Sequence, residues 1–159
     1  MKFDELNLED ALLDGLCAMN FKETTPIQEK TIPIILEGKD MIACAQTGTG
    51  KTAAYLLPIL NILCKGEHRE DKINALVMVP TRELAQQIDQ QLEAFAYFLP
   101  VSSVAVYGGG DGGLFDQQDK ALRSGVDVVI ATPGRLIALL NMGRIDMSFV
   151  KFFVLDEAD

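Results

Sequence analysis

Ala45, Gln46, Thr47, Gly48, Thr49, Gly50, Lys51 and Thr52 form the part of this chain best equipped for chemistry. Gly48 and Gly50 let the backbone curl with its N–H groups turned inward, Lys51 supplies a point charge for outer phosphates, and Thr52 offers a hydroxyl to Mg2+. An apolar run over residues 41–45 precedes the segment and a helical pattern through Leu56 and Leu57 follows it. Strand, loop, Gly-Lys-Thr and helix in that order define a P-loop rather than a mere glycine-rich turn, with Ala45 where the usual pattern has its first glycine. Such a cradle needs a carboxylate site. After the run Phe152, Phe153, Val154 and Leu155 come Asp156 and Glu157, then Ala158 and Asp159. An aspartate ending a buried strand can hold the Mg2+ that bridges phosphates, and a neighbouring glutamate can orient and deprotonate the attacking water. Alone, four residues of this kind would read as a solvated turn; with the P-loop upstream, Lys51, Asp156 and Glu157 become the candidate catalytic set for hydrolysing ATP or GTP, with Thr52 and Asp156 as metal ligands.

These residues must be positioned by a scaffold. Short apolar runs at residues 41–45, 75–79, 103–107, 127–131 and 152–155 alternate with helical patterns, which predicts an α/β fold with a parallel, doubly wound sheet. Ligands in such folds bind beyond the carboxyl ends of the strands, and each of those ends carries Gly, Thr, Pro, Arg or Asp. Two helices are expected before the first strand, over residues 8–19 and 26–36. The expected division is a helical extension over residues 1–38 followed by a nucleotide-binding domain over 39–159. Pro58 is expected to bend the helix that follows the P-loop.

Composition narrows the partners. The chain has 159 residues, 48% hydrophobic and 23% charged, ordinary for a globular domain. Its net charge of −9 lacks the basic footprint of bulk nucleic-acid binding, so any such contact must be local. Cys17, Cys44 and Cys64 have no paired spacing, which points away from disulfides and zinc and toward a reducing, cytoplasmic setting. No apolar stretch approaches the roughly 20 residues that span a bilayer. The single histidine, His68, falls in a charged stretch and is expected in a solvated loop.

Thr25, Pro26, Ile27 and Gln28 admit two readings. Thr25 as N-cap, Pro26 at the first helical position and Gln28 reaching back would form a capping box. Alternatively, the Gln28 amide would pair with an adenine edge. Spacing alone favours the cap.

Here the chain resembles the DEAD-box RNA helicases, and the likeness runs along essentially its whole length. Phe3, Asn20 and Phe21 with Thr25 to Gln28 are similar to the Q motif that reads adenine; Asn20 stands where that family usually has glycine and Thr24 where it often has proline. The P-loop resembles motif I, and Pro80, Thr81, Arg82, Glu83, Leu84 and Ala85 resemble motif Ia. Gly108 and Gly109 resemble the glycine doublet, Thr132, Pro133, Gly134 and Arg135 resemble motif Ib, and Asp156 to Asp159 spell the family name. The resemblance implies a RecA-like fold, ATP and Mg2+ as cofactors, adenine contacts from Phe21, Thr25 and Gln28, and an RNA backbone gripped without sequence preference by Pro80, Thr81, Arg82, Gly108, Gly109 and residues 132–135. It also implies that the family's domain continues past Asp159 to a Ser-Ala-Thr strand lying between the P-loop strand and the Asp156 strand, so that the sheet here would be incomplete on its C-terminal side and residues 1–159 alone would show at most weak nucleotide binding and essentially no RNA-stimulated turnover.

Motifs Ia and Ib also have a local reading: Thr81 and Thr132 as N-caps and Pro133 at a first helical position would place helix N-termini beside Arg82 and Arg135, each a site for one phosphate. Structural roles for the arginines, as surface or capping ion pairs, remain open, although Arg82 and Glu83 are adjacent in sequence and poorly placed to pair across a turn. Two rival functions stand beside the helicase. One is a P-loop ATPase acting on DNA or as a protein motor. The other is an RNA clamp without turnover, against which the pairing of Lys51 with Glu157 argues.

Overall fold

Apolar residues at helical spacing build six α-helices among the described residues, and short, mostly apolar runs build four strands. The computed structural model describes residues 1–66, 68–109 and 112–157. Two compact units result, one of residues 1–66 with 94–100, the other of residues 67–93 with 101–159.

The first unit holds a 3-10 turn at Phe3–Leu6, then α1 (Asp10–Ala18), α2 (Pro26–Leu36) and α3 (Lys51–Leu63). α3 is apolar around its circumference and buried from Ala53 through Asn61, with α2 packed along it. It runs uninterrupted through Pro58. α1 approaches the chain near Phe95 so closely that a Cβ on Gly15 would stand 2.8 Å from the Phe95 carbonyl oxygen. Phe21 sits between two other rings, 6.1 Å from Phe3 and edge-on to Phe95 at 5.4 Å. Past the end of α1, Asn20 has φ 62°, and the Phe21 N–H donates to the Leu16 carbonyl at 2.9 Å. This left-handed turn accounts for the glycine expected at position 20, since asparagine is among the few residues that tolerate the same conformation.

One expected strand does not form. Residues 41–45 have no regular structure, and Ile42 is 96% exposed. Among the described residues no strand pairs with them, and an extended run without a ladder partner leaves its N–H and C=O groups to water. Apolar content can nominate a strand; only a neighbour can make one.

The second unit carries β1 (Ala75–Met78), α4 (Arg82–Phe95, whose last two residues count with the first unit), β2 (Ser103–Val106), α5 (Gly112–Arg123), β3 (Val128–Ala131), α6 (Pro133–Asn141) and β4 (Phe152–Leu155). These four strands match the remaining sequence expectations to within a residue. The sheet has the order β2-β3-β1-β4 and every pairing is parallel. β3 is buried throughout, and its core contains Leu76, Val106, Val129, Ala131, Leu136 and Leu139. β4 lies at an edge, where Phe153 and Leu155 are more than half exposed.

His68 departs from its expected solvated loop. Its side chain is only 5% exposed, and Nε2 stands 3.0 Å from Asp127 Oδ1, though without hydrogen-bond alignment. Asp127 Oδ2 accepts the Ser102 N–H at 3.1 Å, and the Asn74 amide donates to the carbonyls of Arg69 and Lys72. The charges flanking His68 in sequence are led off elsewhere: Arg69 stacks over Phe149 at 4.8 Å and Lys72 pairs with Asp146 at 3.1 Å. The histidine is thereby left to a polar pocket at the amino ends of β1 and β3.

Candidate functional site

In the first unit the P-loop is a tight turn. Gly48 and Gly50 adopt φ of 86° and 82°, and the Thr49 hydroxyl donates to the Gln46 carbonyl at 2.6 Å. Gly50 ends the turn in the left-handed region as N-cap of α3, and Lys51 and Thr52 form that helix's first turn. The amino terminus of α3, with the positive end of its helix dipole, therefore opens directly from the loop.

Next to it stands the segment for which cap and adenine readings competed. Gln28 is buried, 2% exposed, and its amide works in both directions. Oε1 accepts the Thr25 N–H at 3.0 Å, and Nε2 donates to the Gly50 carbonyl at 3.1 Å. The capping box is thus closed on one side only, since Thr25 Oγ1 is buried with no hydrogen-bond partner among the described residues. A pocket of about 560 Å³ opens here, lined by Phe21, Thr25, Gln28, Gly48 and Gly50 together with Lys22. Five of the predicted nucleotide-site residues therefore share one cavity. Among the described residues one amide hydrogen and one lone pair of Gln28 remain uncommitted, a donor and an acceptor of the kind an adenine edge pairs with.

In the second unit the parallel register does the positioning. Met78 of β1 is level with Ala131 of β3 and Leu155 of β4, and Ala131 is level with Val106 of β2. The segments that follow, at Pro80–Arg82, Gly108–Gly109, Thr132–Arg135 and Asp156–Glu157, consequently leave the sheet at one end. Thr81 is a true N-cap, its Oγ1 accepting the Leu84 N–H at 3.2 Å. Thr132 occupies the N-cap position of α6 with Pro133 after it, but without a side-chain cap hydrogen bond. Arg82 lies beside the glycine doublet: a Cβ on Gly109, whose φ is 92°, would come 2.9 Å from Arg82 Nη1. Arg82 Nε also reaches Glu83 Oε1 at 3.7 Å despite their adjacency, a loose pair between exposed side chains. Among the described residues Arg135 makes no ion pair; its guanidinium stands 5.0 Å from the Phe115 ring.

Asp156 is 6% exposed and continues the ladder, its N–H donating to the Met78 carbonyl at 2.9 Å. Glu157 turns out of the strand at φ 54°, with its N–H donating to Asp156 Oδ1 at 2.9 Å. Ala158 and Asp159 lie outside the described residues. The Thr52 hydroxyl in the first unit and the Asp156 carboxylate in the second are each a hard oxygen of the kind Mg2+ accepts. Among the described residues there is no cluster of three metal-binding side chains.

Sequence reasoning missed Gln118, Gln86 and Tyr107. The Gln118 amide accepts the Tyr107 N–H at 3.3 Å and donates to the Tyr107 carbonyl at 3.2 Å, while Gln86 Nε2 donates to the Tyr107 hydroxyl at 2.9 Å. A signal was present: Phe115, Gln118, Asp119 and Leu122 share one helical face, and a glutamine in an apolar stripe needs a partner.

A helix-opening P-loop joined in one chain with a parallel sheet that ends in an Asp-Glu pair defines a P-loop nucleotide-binding protein. The DEAD/DEAH box helicase model matches residues 25–159, and the chain belongs to that family. It is 43% identical over 158 residues to the ATP-dependent RNA helicase CshA of Listeria monocytogenes, covering 99% of this chain and 29% of that protein. It is 44% identical over 169 residues to the probable ATP-dependent RNA helicase ddx3 of Dictyostelium discoideum, covering 99% of this chain and 23% of that protein. The DEAD-box ATP-dependent RNA helicase CshA of Streptococcus pneumoniae is 47% identical over 159 residues, which is 100% of this chain and 29% of that protein. The chain therefore spans less than a third of the length of these relatives.

Proposed function

We propose that this chain is the ATP-binding part of an ATP-dependent RNA helicase. The observation that carries the reading is the Gln28 amide: it is tied to the P-loop at Gly50, lines the pocket, and keeps one donor and one acceptor uncommitted among the described residues. In this reading Gln28 pairs with adenine, Phe21 and Thr25 line its site, and residues 45–52 hold the phosphates. Thr52 and Asp156 would hold Mg2+, which when bound offsets the charge of the phosphates. Lys51 neutralises the outer phosphate, and Glu157 takes a proton from the attacking water. Arg82 with Gly108 and Gly109, and α6 opening at Thr132, Pro133, Gly134 and Arg135, would hold successive phosphates of an RNA strand. Contacts of this kind fix a backbone and ignore sequence. A cytoplasmic setting belongs to the same proposal and agrees with three free cysteines.

The test uses a protein of the relatives' length carrying this chain. Its ATP turnover should rise with single-stranded RNA and not with DNA of the same sequence, and Gln28→Ala should lower affinity for ATP by roughly 1–3 kcal/mol without changing affinity for GTP. Equal stimulation by DNA would turn the reading toward a DNA motor. An unaltered ATP preference in Gln28→Ala would reduce Gln28 to a helix cap.

A further inference from the structure

β2 is an edge strand, and its free edge is closed by a side chain. The Val106 carbonyl accepts the Thr132 N–H at 3.1 Å, on the side facing β3. Successive residues of a strand direct their backbone groups to opposite sides, so the N–H and C=O of Tyr107 turn away from β3, where the sheet has no further strand among the described residues. Gln118 of α5 occupies that place. It is 4% exposed, and its Oε1 and Nε2 engage the Tyr107 N–H and C=O at 3.3 and 3.2 Å. One side-chain amide thus stands in for one residue of a missing strand. From the other side, Gln86 of α4 holds the Tyr107 hydroxyl.

Tyr107 is the residue before Gly108 and Gly109. With both of its backbone groups satisfied and its ring end tethered, the chain is held straight for one residue beyond the sheet. The next two N–H groups, those of Gly108 and Gly109, have no partner among the described residues. Gly109 then turns at φ 92° directly against Arg82, which lies one helical turn before Gln86 on α4. The Arg82 guanidinium thus lies beside the glycine backbone, and a guanidinium with free backbone N–H groups is a combination that takes a phosphate. We propose that Gln118 is a positioning residue for nucleic-acid binding: by clamping the Tyr107 backbone it presents the Gly108–Gly109 N–H groups beside Arg82 in the geometry that takes a phosphodiester. The inference rests on the proposed RNA-binding reading of Arg82, Gly108 and Gly109. Gln118 does not itself touch the ligand; it removes the ordering cost that a loose glycine loop would otherwise meet on binding.

The experiment compares Gln118→Met, Gln118→Glu and Arg82→Ala in a protein of the relatives' length, with circular dichroism at assay temperature to establish folding. Met keeps the volume and loses both hydrogen bonds, whereas Glu keeps the acceptor and sets an oxygen against the Tyr107 carbonyl. Both Gln118 variants should raise the KM for single-stranded RNA about fivefold or more, the worth of one to two hydrogen bonds, with kcat at saturating RNA and RNA-free ATP affinity within about twofold of the parent. A residue that merely held the fold would lower kcat and ATP affinity together, and that pattern would overturn the proposal. So would an unchanged KM for RNA in every folded Gln118 variant while Arg82→Ala raises it. If Arg82→Ala also left RNA binding intact, the RNA reading of this end of the sheet would fail and the proposal with it. Should Gln118→Met not fold, the near-isosteric Gln118→Glu decides.

Discussion

The side-chain amide of Gln28 donates to the backbone carbonyl of Gly50 at 3.1 Å, linking the first turn of α2 to the residue that caps α3. The Thr25–Gln28 segment and the glycine turn before α3 are thereby built as one piece, and Gly50 is what permits it. A Cβ at that position would lie 2.4 Å from Gln28 Nε2 and 3.1 Å from Thr25 Oγ1, at a φ of 82°.

Gly50→Ala should therefore lose stability and nucleotide affinity together. The left-handed backbone alone costs about 1–2 kcal/mol, and the collision adds to it. Adding Gln28→Ala should recover the collision and not the backbone cost, so the two changes will be non-additive. Urea midpoints of the two single variants and the double variant measure this, and simple additivity would mean that the two side chains do not meet.

Lys51 and Glu157 are assigned different steps and should fail differently. Lys51→Ala is expected to abolish tight ATP binding, whereas Glu157→Gln should bind ATP as the parent does and lose turnover by at least about a hundredfold. Fluorescent-nucleotide binding and phosphate release, measured side by side in a protein of the relatives' length, separate the two. Normal turnover in Glu157→Gln would remove the general-base assignment.

Asp127 is the acceptor around which a buried polar group assembles. Asp127→Ala would strand the Ser102 N–H it accepts and leave His68 beside a void, at an expected cost of about 2–4 kcal/mol. Asp71→Ala, which removes an exposed pair with Arg69, should leave the denaturation midpoint essentially unchanged. Equal denaturation midpoints for the two variants would contradict the burial of the Asp127 pocket.

The Asp146 carboxyl is held down to about 2 from 3.8, first by the Ser148 hydroxyl, then by the Ser148 N–H and by Lys72. Its folded value is depressed, so its contribution to stability is present above pH 3.8 and disappears as the pH falls through about 2. Ser148→Ala should move the Asp146 titration upward toward 3.8, as followed by carboxyl NMR. A midpoint already near 3.8 in the unmodified chain would show that the Ser148 hydroxyl does not hold the group.

Much of this protein was legible in its residues because the relevant physics is local. A turn built on Gly48 and Gly50 at the start of an apolar helix, a threonine one residue ahead of Arg82, and apolar four-residue runs at β1, β2, β3 and β4 depend on neighbours within a few positions, and all of them formed. Asn20 was legible only as a departure; its φ of 62° explains it. What sequence could not decide was pairing across distance. Residues 41–45 have the composition of a buried strand and remain exposed, because a strand exists only when another chain segment takes its hydrogen bonds. His68 lies among charges in sequence and is buried in space, because Asp127 comes to it from far along the chain while Phe149 and Asp146 take up its neighbours Arg69 and Lys72. The same holds for the Gln28 amide, whose capping role was visible in the Thr25–Gln28 spacing, whereas its bond to Gly50 spans 22 residues. Side-chain types and short spacings determined which chemistry was available; the tertiary structure decided which groups meet, since a hydrogen bond depends on distance in space and not on separation along the chain.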